Sequence, residues 1–305
     1  MLSAQQLHQF HNDGLLVLRG VFSPGEVRAL QQAADQVTRE ALAGAGAGHG
    51  YREVDGHREY YRTDGVLWER HGAFRMATVN PDLLAAVGQC LGHPFMPVND
   101  SLVVKLPHSP VAIPWHQDPP YDGPHGLAET FGIPNFDCDI YLDAATTDNG
   151  CLHGLASHHL AGHVEMERFS EQDMFGRADA IPLEMAPGDV LFHAISAPHG
   201  SRANDSDTLR RVFYVHYMAQ EVLETLHPEL VATRSGFSRR ALRQVHAMLD
   251  ERAGAGLSGP TTAHVEFTPD GFVFTGEPST PPWHWQTLLA EQNAQQVRAA
   301  KTLSA

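Results

Sequence analysis

In the segment Pro114-Trp115-His116-Gln117-Asp118, a histidine and an aspartate stand two positions apart. Side chains alternate along an extended strand, so His116 and Asp118 point to one side and can take adjacent positions on one metal ion. A third ligand must come from elsewhere. The candidate is His199, in the segment APGDVLFHAISAPHGSRANDSDTLRR. His193, six residues earlier, competes with it but is not followed by Gly-Ser. Two imidazoles and one carboxylate on one face of an octahedral ion leave three positions open, as in non-haem Fe(II) oxygenases. A 2-oxo acid can chelate two of them and O2 can take the third.

The residues after His199 fit that chemistry. Ser201 follows two positions on, and Arg210 eleven positions on, at the start of RRVFYVHY. The distal carboxylate of a 2-oxo acid such as 2-oxoglutarate suits a planar, permanently charged fork, and a serine hydroxyl can add a hydrogen bond. Neighbours on a strand face opposite sides, so Arg210 and Arg211 cannot share this role; Arg211 is expected at the surface or paired with a carboxylate. Lys105, eleven residues before His116, can meet substrate, co-substrate or a salt-bridge partner. Trp115, beside His116, belongs to the core or to a substrate wall.

Residues of these types need a rigid frame. The N-terminal part, residues 1–96, is expected to be mostly helical. Ser3-Ala4-Gln5-Gln6 and Ser23-Pro24-Gly25-Glu26 are capping boxes, in which Ser caps a backbone donor and the residue three positions on reaches back. Gly14 ends the first helix; Leu15 to Leu18 reads as a short buried strand; a third helix opens at Asn80-Pro81 and stops by Gly92. The stretch from Tyr51 to Arg75 shows no assignable period. From Pro97 to Ala219, short β-rich runs alternate with Gly, Pro, Asn and Asp clusters, which predicts a sandwich or barrel. In FDCDIYLD, Phe136, Cys138, Ile140 and Leu142 share one face and Asp137, Asp139, Tyr141 and Asp143 the other; alternation leaves open which is wet. Asn149-Gly150 reads as a tight turn. Residues 220–305 form an extension: a helix capped by Ser238 and ending at Gly254, a hairpin around Pro269-Asp270-Gly271, and a closing helix. All 305 residues are read as one domain.

Composition narrows the partners. The chain has 21 Lys+Arg against 36 Asp+Glu, a formal net charge of −15. Nucleic acid and anionic lipid both require a basic surface, so neither is expected as a partner. Three scattered cysteines form neither a disulfide framework nor a thiolate zinc site, and no secretory signal or membrane span is visible, so a cytoplasmic protein, monomer or homodimer, is expected. Twenty histidines raise the expectation of a metal site without saying which ones matter. His153, His158, His159 and His163 have spacings that suggest zinc, but they lack cysteine partners and fall in a predicted loop, so a solvated cluster is expected. His8 and His11 are read as surface residues. Asn204-Asp205-Ser206 matches a glycosylation acceptor by chance.

The chain resembles the phytanoyl-CoA dioxygenase family of Fe(II)/2-oxoglutarate-dependent oxygenases. The resemblance runs from about Ser3 to Ala219 and is carried by LHQFHNDGLLVLRGVFSPGEV, WHQD, TTDNGCL, APGDVLF and HGSRANDSDTLRR, in that order and spacing. It implies a double-stranded β-helix, or jelly-roll, with helices packed outside. His116, Asp118 and His199 would bind Fe(II), and Arg210 and Ser201 the 2-oxoglutarate carboxylate. Asp139 and Tyr141 would look into the barrel as pocket residues. Asp118 is retained where related halogenating enzymes carry a small residue, which implies hydroxylation or another oxidation. Where many relatives have Pro-Gly-Ser-His, this chain has Leu155-Ala156-Ser157-His158, a departure near the site entrance that bears on substrate choice. The expected reaction consumes 2-oxoglutarate and O2, releases succinate and CO2, and oxidises a small metabolite. The acidic balance makes an acyl-CoA substrate less comfortable. Two rivals stand beside this reading. A cupin-type metalloenzyme without a 2-oxo acid has no need of Arg210 and Ser201, and a non-catalytic jelly-roll binding protein has no reason to keep three ligands.

Overall fold

The computed structural model describes residues 1–65, 67–92, 94–118, 135–159, 164, 166–220, 247–257, 264–268 and 271–276. Ser238 and the first part of the helix expected to follow it lie outside the described residues, as do the closing helix and His163; residues 247–254 are helical and end at Gly254, as expected.

Both capping boxes form. Helix α1 (Ala4–Asp13) is capped by Ser3 and ends on Gly14, at φ 70°; helix α2 (Pro24–Leu42) is capped by Ser23. Strand β1 (Leu15–Leu18) lies between them. Residues 51–64, unassigned from sequence, fall in a hairpin of β2 (His49–Val54) and β3 (His57–Asp64). Its residues are mostly half-exposed and polar, so no hydrophobic period marks them. Short helices α3 (Leu67–Arg70) and α4 (Gly72–Thr78) follow, then α5 (Pro81–Leu91), capped by Asn80 and ended by Gly92. The N-terminal part is therefore mostly helical but also contributes three strands.

Two antiparallel sheets form the barrel. Among the described residues the larger has nine strands, ordered β1-β9-β6-β11-β4-β13-β12, with β3 also pairing β4 and β2 pairing β3. Its central members are β4 (Phe95–Lys105), β6 (Asn135–Tyr141), β9 (Val190–Ala194) and β11 (Arg210–Ala219). The smaller is ordered β5-β10-β7-β8, from β5 (Ile113–His116), β7 (Leu152–Leu155), β8 (Ala180–Leu183) and β10 (His199–Ser201). A short helix, α6 (Glu171–Phe175), packs against β5. The C-terminal hairpin, β12 (Val265–Thr268) and β13 (Gly271–Phe274), adds to β4 through Phe272 opposite Phe95.

The large sheet resolves the ambiguity of FDCDIYLD. Phe136, Cys138 and Ile140 join Leu102, Val104, Phe192, Phe213 and Val215 on the outer face, in one core with the helices. Phe10 stacks edge-on against Phe136 at a centroid distance of 4.9 Å. Each such buried side chain contributes roughly 1.5–3 kcal/mol over the exposed state, so the helices hold the sheet from outside. The opposite face, with Asp137, Asp139 and Tyr141, looks into the barrel. Asp143 departs from that face because β6 ends at Tyr141; its carboxylate accepts from Arg211 Nε at 2.8 Å. Arg211, also 2.5 Å from Asp35, is the carboxylate-paired cation expected from its strand parity.

Other readings are corrected by burial. His153 lies on β7 and is 7% exposed, and His159 packs on Gly14 and is 1% exposed, so neither belongs to a solvated cluster. His11 is half-buried, because α1 turns that side towards α5. Asn204 is 0% exposed and donates to the carbonyls of Leu106 and Thr208, which leaves it closed to modification. No helix among the described residues is long and apolar enough to cross a membrane.

Glu26 ties three parts of the chain. Its Oε2 accepts from Ser23 in the α2 cap, while Oε1 accepts from Asn80 Nδ2 at 3.2 Å and lies 2.7 Å from Arg252 Nη2. Arg252 also donates to Met76 O at 3.1 Å. Removing one partner of a buried pair strands the other charge, so Arg252→Ala should lower unfolding free energy by on the order of 3 kcal/mol. Urea denaturation of the two proteins measures this; an unchanged midpoint would show that the extension is not anchored here.

Candidate active site

Strands β5 and β10 of the small sheet pair with His199 directly opposite His116. Gly200 eases this pairing: a Cβ there would sit 3.1 Å from the Trp115 backbone, a tight contact. The chain leaves β5 after His116, and Asp118 N donates to Ile195 O at 2.9 Å, which fixes the carboxylate beside both rings. Asp118 Oδ1 lies 3.6 Å from His116 Nε2, and Oδ2 lies 3.8 Å from His199 Nε2. The three side chains form a cluster with metal-ligand spacing.

Backbone carbonyls set the ring tautomers. His116 Nδ1 is 2.7 Å from Pro114 O and His199 Nδ1 is 3.0 Å from Ala197 O. A carbonyl only accepts, so each Nδ1 carries a proton and donates it, leaving Nε2 as the nitrogen able to bind a cation. Burial together with neighbouring His116 pushes His199 down to about 3. Burial opposes ionisation of Asp118, yet the histidines around it outweigh that and hold it well below the usual carboxylate range. Burial also lowers His116, but the hydrogen bond and charge of Asp118 raise it on balance. The result is an ionised carboxylate between two imidazoles, the donor set a divalent cation requires.

His193, the competitor of His199, stands beside this set and forms with Asp118 and Asp137 a second group with metal-ligand spacing. Its Nε2 is 3.4 Å from Asp118 Oδ2, and its Nδ1 makes an ionic contact with Asp139 Oδ1 at 3.0 Å. Burial disfavours its charge, but Asp139 and Asp118 raise it well above the ordinary histidine value. Asp139, 0% exposed, is thus committed to His193 and lines neither cavity at the site. Asp137 lines both, and the parity that places Asp139 inward places Asp137 there too.

Arg210 and Ser201 line one cavity with His116, Asp118 and His199. Arg210 is 1% exposed, and its Nε and Nη1 have no hydrogen-bond partner in the protein; neither has Tyr141 Oη. Buried donors without partners are costly, and orphaned guanidinium nitrogens in a cavity suit a carboxylate ligand. Lys105, opposite Arg210 in the β4–β11 register, is committed to the carbonyls of Val111 and Arg202 and does not line the cavity. Trp115 is a core residue: its ring packs with Leu155, Met166 and Met174, since it faces the other side of β5 from His116. Arg62, on the hairpin without sequence periodicity, lines both cavities and was not singled out from sequence.

This is a jelly-roll with a two-histidine, one-carboxylate centre and a buried arginine beside it, the layout of a non-haem iron, 2-oxo-acid-dependent oxygenase. Residues 10–212 match the family model described as phytanoyl-CoA dioxygenase (PhyH), and the chain belongs to that family. It is an Fe(II)/2-oxoglutarate-dependent dioxygenase that acts on a small molecule. A methylphosphonate hydroxylase of Gimesia maris is 26% identical over 220 residues, covering 72% of this chain and 81% of that protein. A 2-aminoethylphosphonate dioxygenase of an uncultured bacterium is 33% identical over 86 residues, 26% of this chain and 30% of that one. Among solved structures, EctD from S. alaskensis with 2-oxoglutarate and 5-hydroxyectoine shares the fold, with a TM-score of 0.59 at 22% identity over 72% of this chain and 77% of that one.

Burial, together with the charge of Arg210, pushes the Lys105 ammonium down to about 6. In the unfolded chain its value is about 10.4. Between those values unfolding takes up a proton at Lys105, so this residue makes stability rise with pH from about 6 upward. Urea unfolding at a series of pH values should show about one proton fewer taken up by Lys105→Met than by the parent protein. Parallel curves for the two would mean that Lys105 stays charged in the fold.

Proposed function

We propose that His116, Asp118 and His199 hold the Fe(II) and that Arg210 and Ser201 bind the distal carboxylate of 2-oxoglutarate. The observation that carries this is one cavity lined by all five residues, in which two nitrogens of a buried guanidinium lack partners. With iron bound, 2-oxoglutarate and O2 supply the oxidising power, through decarboxylation to succinate and CO2 coupled to oxidation of a substrate C–H bond.

The protein's own residues orient and exclude. Pro114 O and Ala197 O hold the two imidazoles with Nε2 toward Asp118, so their geometry exists before any ion arrives. His193, braced against Asp139, keeps Asp118 ionised and restrains its Oδ2. Leu152 and Ile113 give the Arg210 cavity apolar walls, which strengthen the contact between guanidinium and carboxylate by excluding water. Retention of Asp118 supports hydroxylation or a related oxidation.

A small polar metabolite suits the site better than a long apolar acyl chain: the two adjoining cavities are lined largely by polar and charged side chains. The two phosphonate-named relatives support a small anionic substrate. The three free, buried cysteines suit a reducing compartment, which we take to be the cytoplasm, and the acidic balance supports a protein that works apart from nucleic acid and membrane.

Anaerobic titration with Fe(II) and 2-oxoglutarate, followed by a succinate assay in air, tests the reading. Asp118→Ala should abolish iron binding. Arg210→Ala should keep iron but weaken 2-oxoglutarate binding by at least roughly tenfold, the value of a charge-assisted pair. Equal 2-oxoglutarate affinity in Arg210→Ala and the parent would reject the assignment of Arg210.

A further inference from the structure

Two cavities adjoin at Asp118. One carries Arg210, Ser201 and His199 and is the side proposed to take 2-oxoglutarate. The second, of about 140 Å³, carries Asn99, Asp100, Ile195 and His216 and lacks Arg210. Arg62, Ser101, Asp137 and Tyr214 border both. With 2-oxoglutarate in the first, the second is the space from which a substrate can face the metal.

Arg62 is the one fixed positive charge among the described residues lining this second cavity. Pairing of β3 with β4 sets Arg62 opposite Val103, at the edge of the polar inner face. Asp64 steadies the guanidinium: Nε donates to Asp64 Oδ1 at 2.8 Å, and Nη2 bonds the same oxygen. Among the described residues no other hydrogen bond holds it, which leaves Nη1 without a protein partner in a residue that lines both cavities. Three carboxylates, Asp100, Asp118 and Asp137, also line this cavity, and Asp100 is the one firmly engaged by backbone donors. Asp100 accepts the backbone N–H groups of Leu67 and Trp68 at the start of α3, at 3.1 and 2.9 Å. Asp137 Oδ2 lies 3.8 Å from His193 Nε2, and Asp118 belongs to the metal set.

We propose that Arg62 anchors the substrate through a terminal oxyanion, a phosphonate or a carboxylate, in the cavity beyond Asp118, with Asn99 and Ser101 as hydrogen-bonding walls. This rests on the assignment of the first cavity to 2-oxoglutarate. A group held by Arg62 at its charged end presents its carbon skeleton toward Asp118 and the metal. The polar lining and the single fixed cation make an oxyacid the substrate class. Arg62 is a substrate-binding residue in this scheme and has no part in holding 2-oxoglutarate.

Calorimetric titration of the anaerobic, Fe(II)- and 2-oxoglutarate-loaded protein with methylphosphonate, 2-aminoethylphosphonate, propionate and the neutral control propanol tests this. At least one acid should bind and propanol should not. Arg62→Gln should weaken that acid roughly 10- to 100-fold, as expected for loss of a charge-assisted hydrogen bond. Arg62→Lys should recover part of the loss, and both variants should bind 2-oxoglutarate as the parent does. Preference for the phosphonates or for propionate identifies the head group, and either upholds the proposal. Binding of no acid, equal binding by Arg62→Gln, or binding of propanol alongside the acids overturns it. Loss of 2-oxoglutarate binding in Arg62→Gln also overturns it, by moving Arg62 to the co-substrate. If instead Arg210→Ala retains 2-oxoglutarate, the cavity assignment itself fails, and the proposal with it.

Discussion

The site depends on one cross-strand register, His199 opposite His116 on β10 and β5. That register, with Asp118 N tied to Ile195 O, brings together the three side chains proposed to hold the metal, drawn from segments about eighty residues apart in the chain. Gly200 eases it, since a side chain there would press on Trp115. Slipping the pairing by one residue would turn His199 to the opposite face, towards the Trp115 cluster, and break the metal set. The two carbonyls that accept from Nδ1 add a second level of control, because they fix each ring's tautomer as well as its position.

The large sheet supplies the rest of the site by turning its polar face inward. Burying Asp137, Asp139, His193, Lys105 and Arg210 is tolerable only where each finds a partner. Asp139 and His193 offset each other's charge through an ionic contact at 3.0 Å, with no hydrogen bond between them, and Lys105 finds two carbonyls. Arg210 keeps two nitrogens without a partner in the protein, and it does so beside the ligand set. Other buried groups also carry unpartnered atoms, but Arg210 combines this with a place on the cavity that holds His116, Asp118 and His199, which suits a binding role.

Much of this was legible in local sequence. The capping boxes at Ser3 and Ser23 form, the His-x-Asp pair and His199 converge, and Arg210 separates from Arg211 by strand parity. Local pattern misled where strands ended or packing intervened. Asp143 left the face of Asp139 because β6 stops at Tyr141. His153 and His159 looked like loop residues but are buried, one on β7 and one against Gly14.

Local sequence set which residue types could do chemistry and how neighbours share or oppose a face, because caps, turns and alternation depend on residues within a few positions. Long-range packing decided that the acidic face of β6 is the inner one. It also made His193 a brace for Asp118 and brought Arg62 from the β2–β3 hairpin to the cavities. Those outcomes depend on contacts between segments far apart in the chain, where helices bury the outer face of the sheet and leave the polar face no other place to go. Twenty histidines made a metal site plausible; the fold put two of them, with Asp118, where one ion could be held.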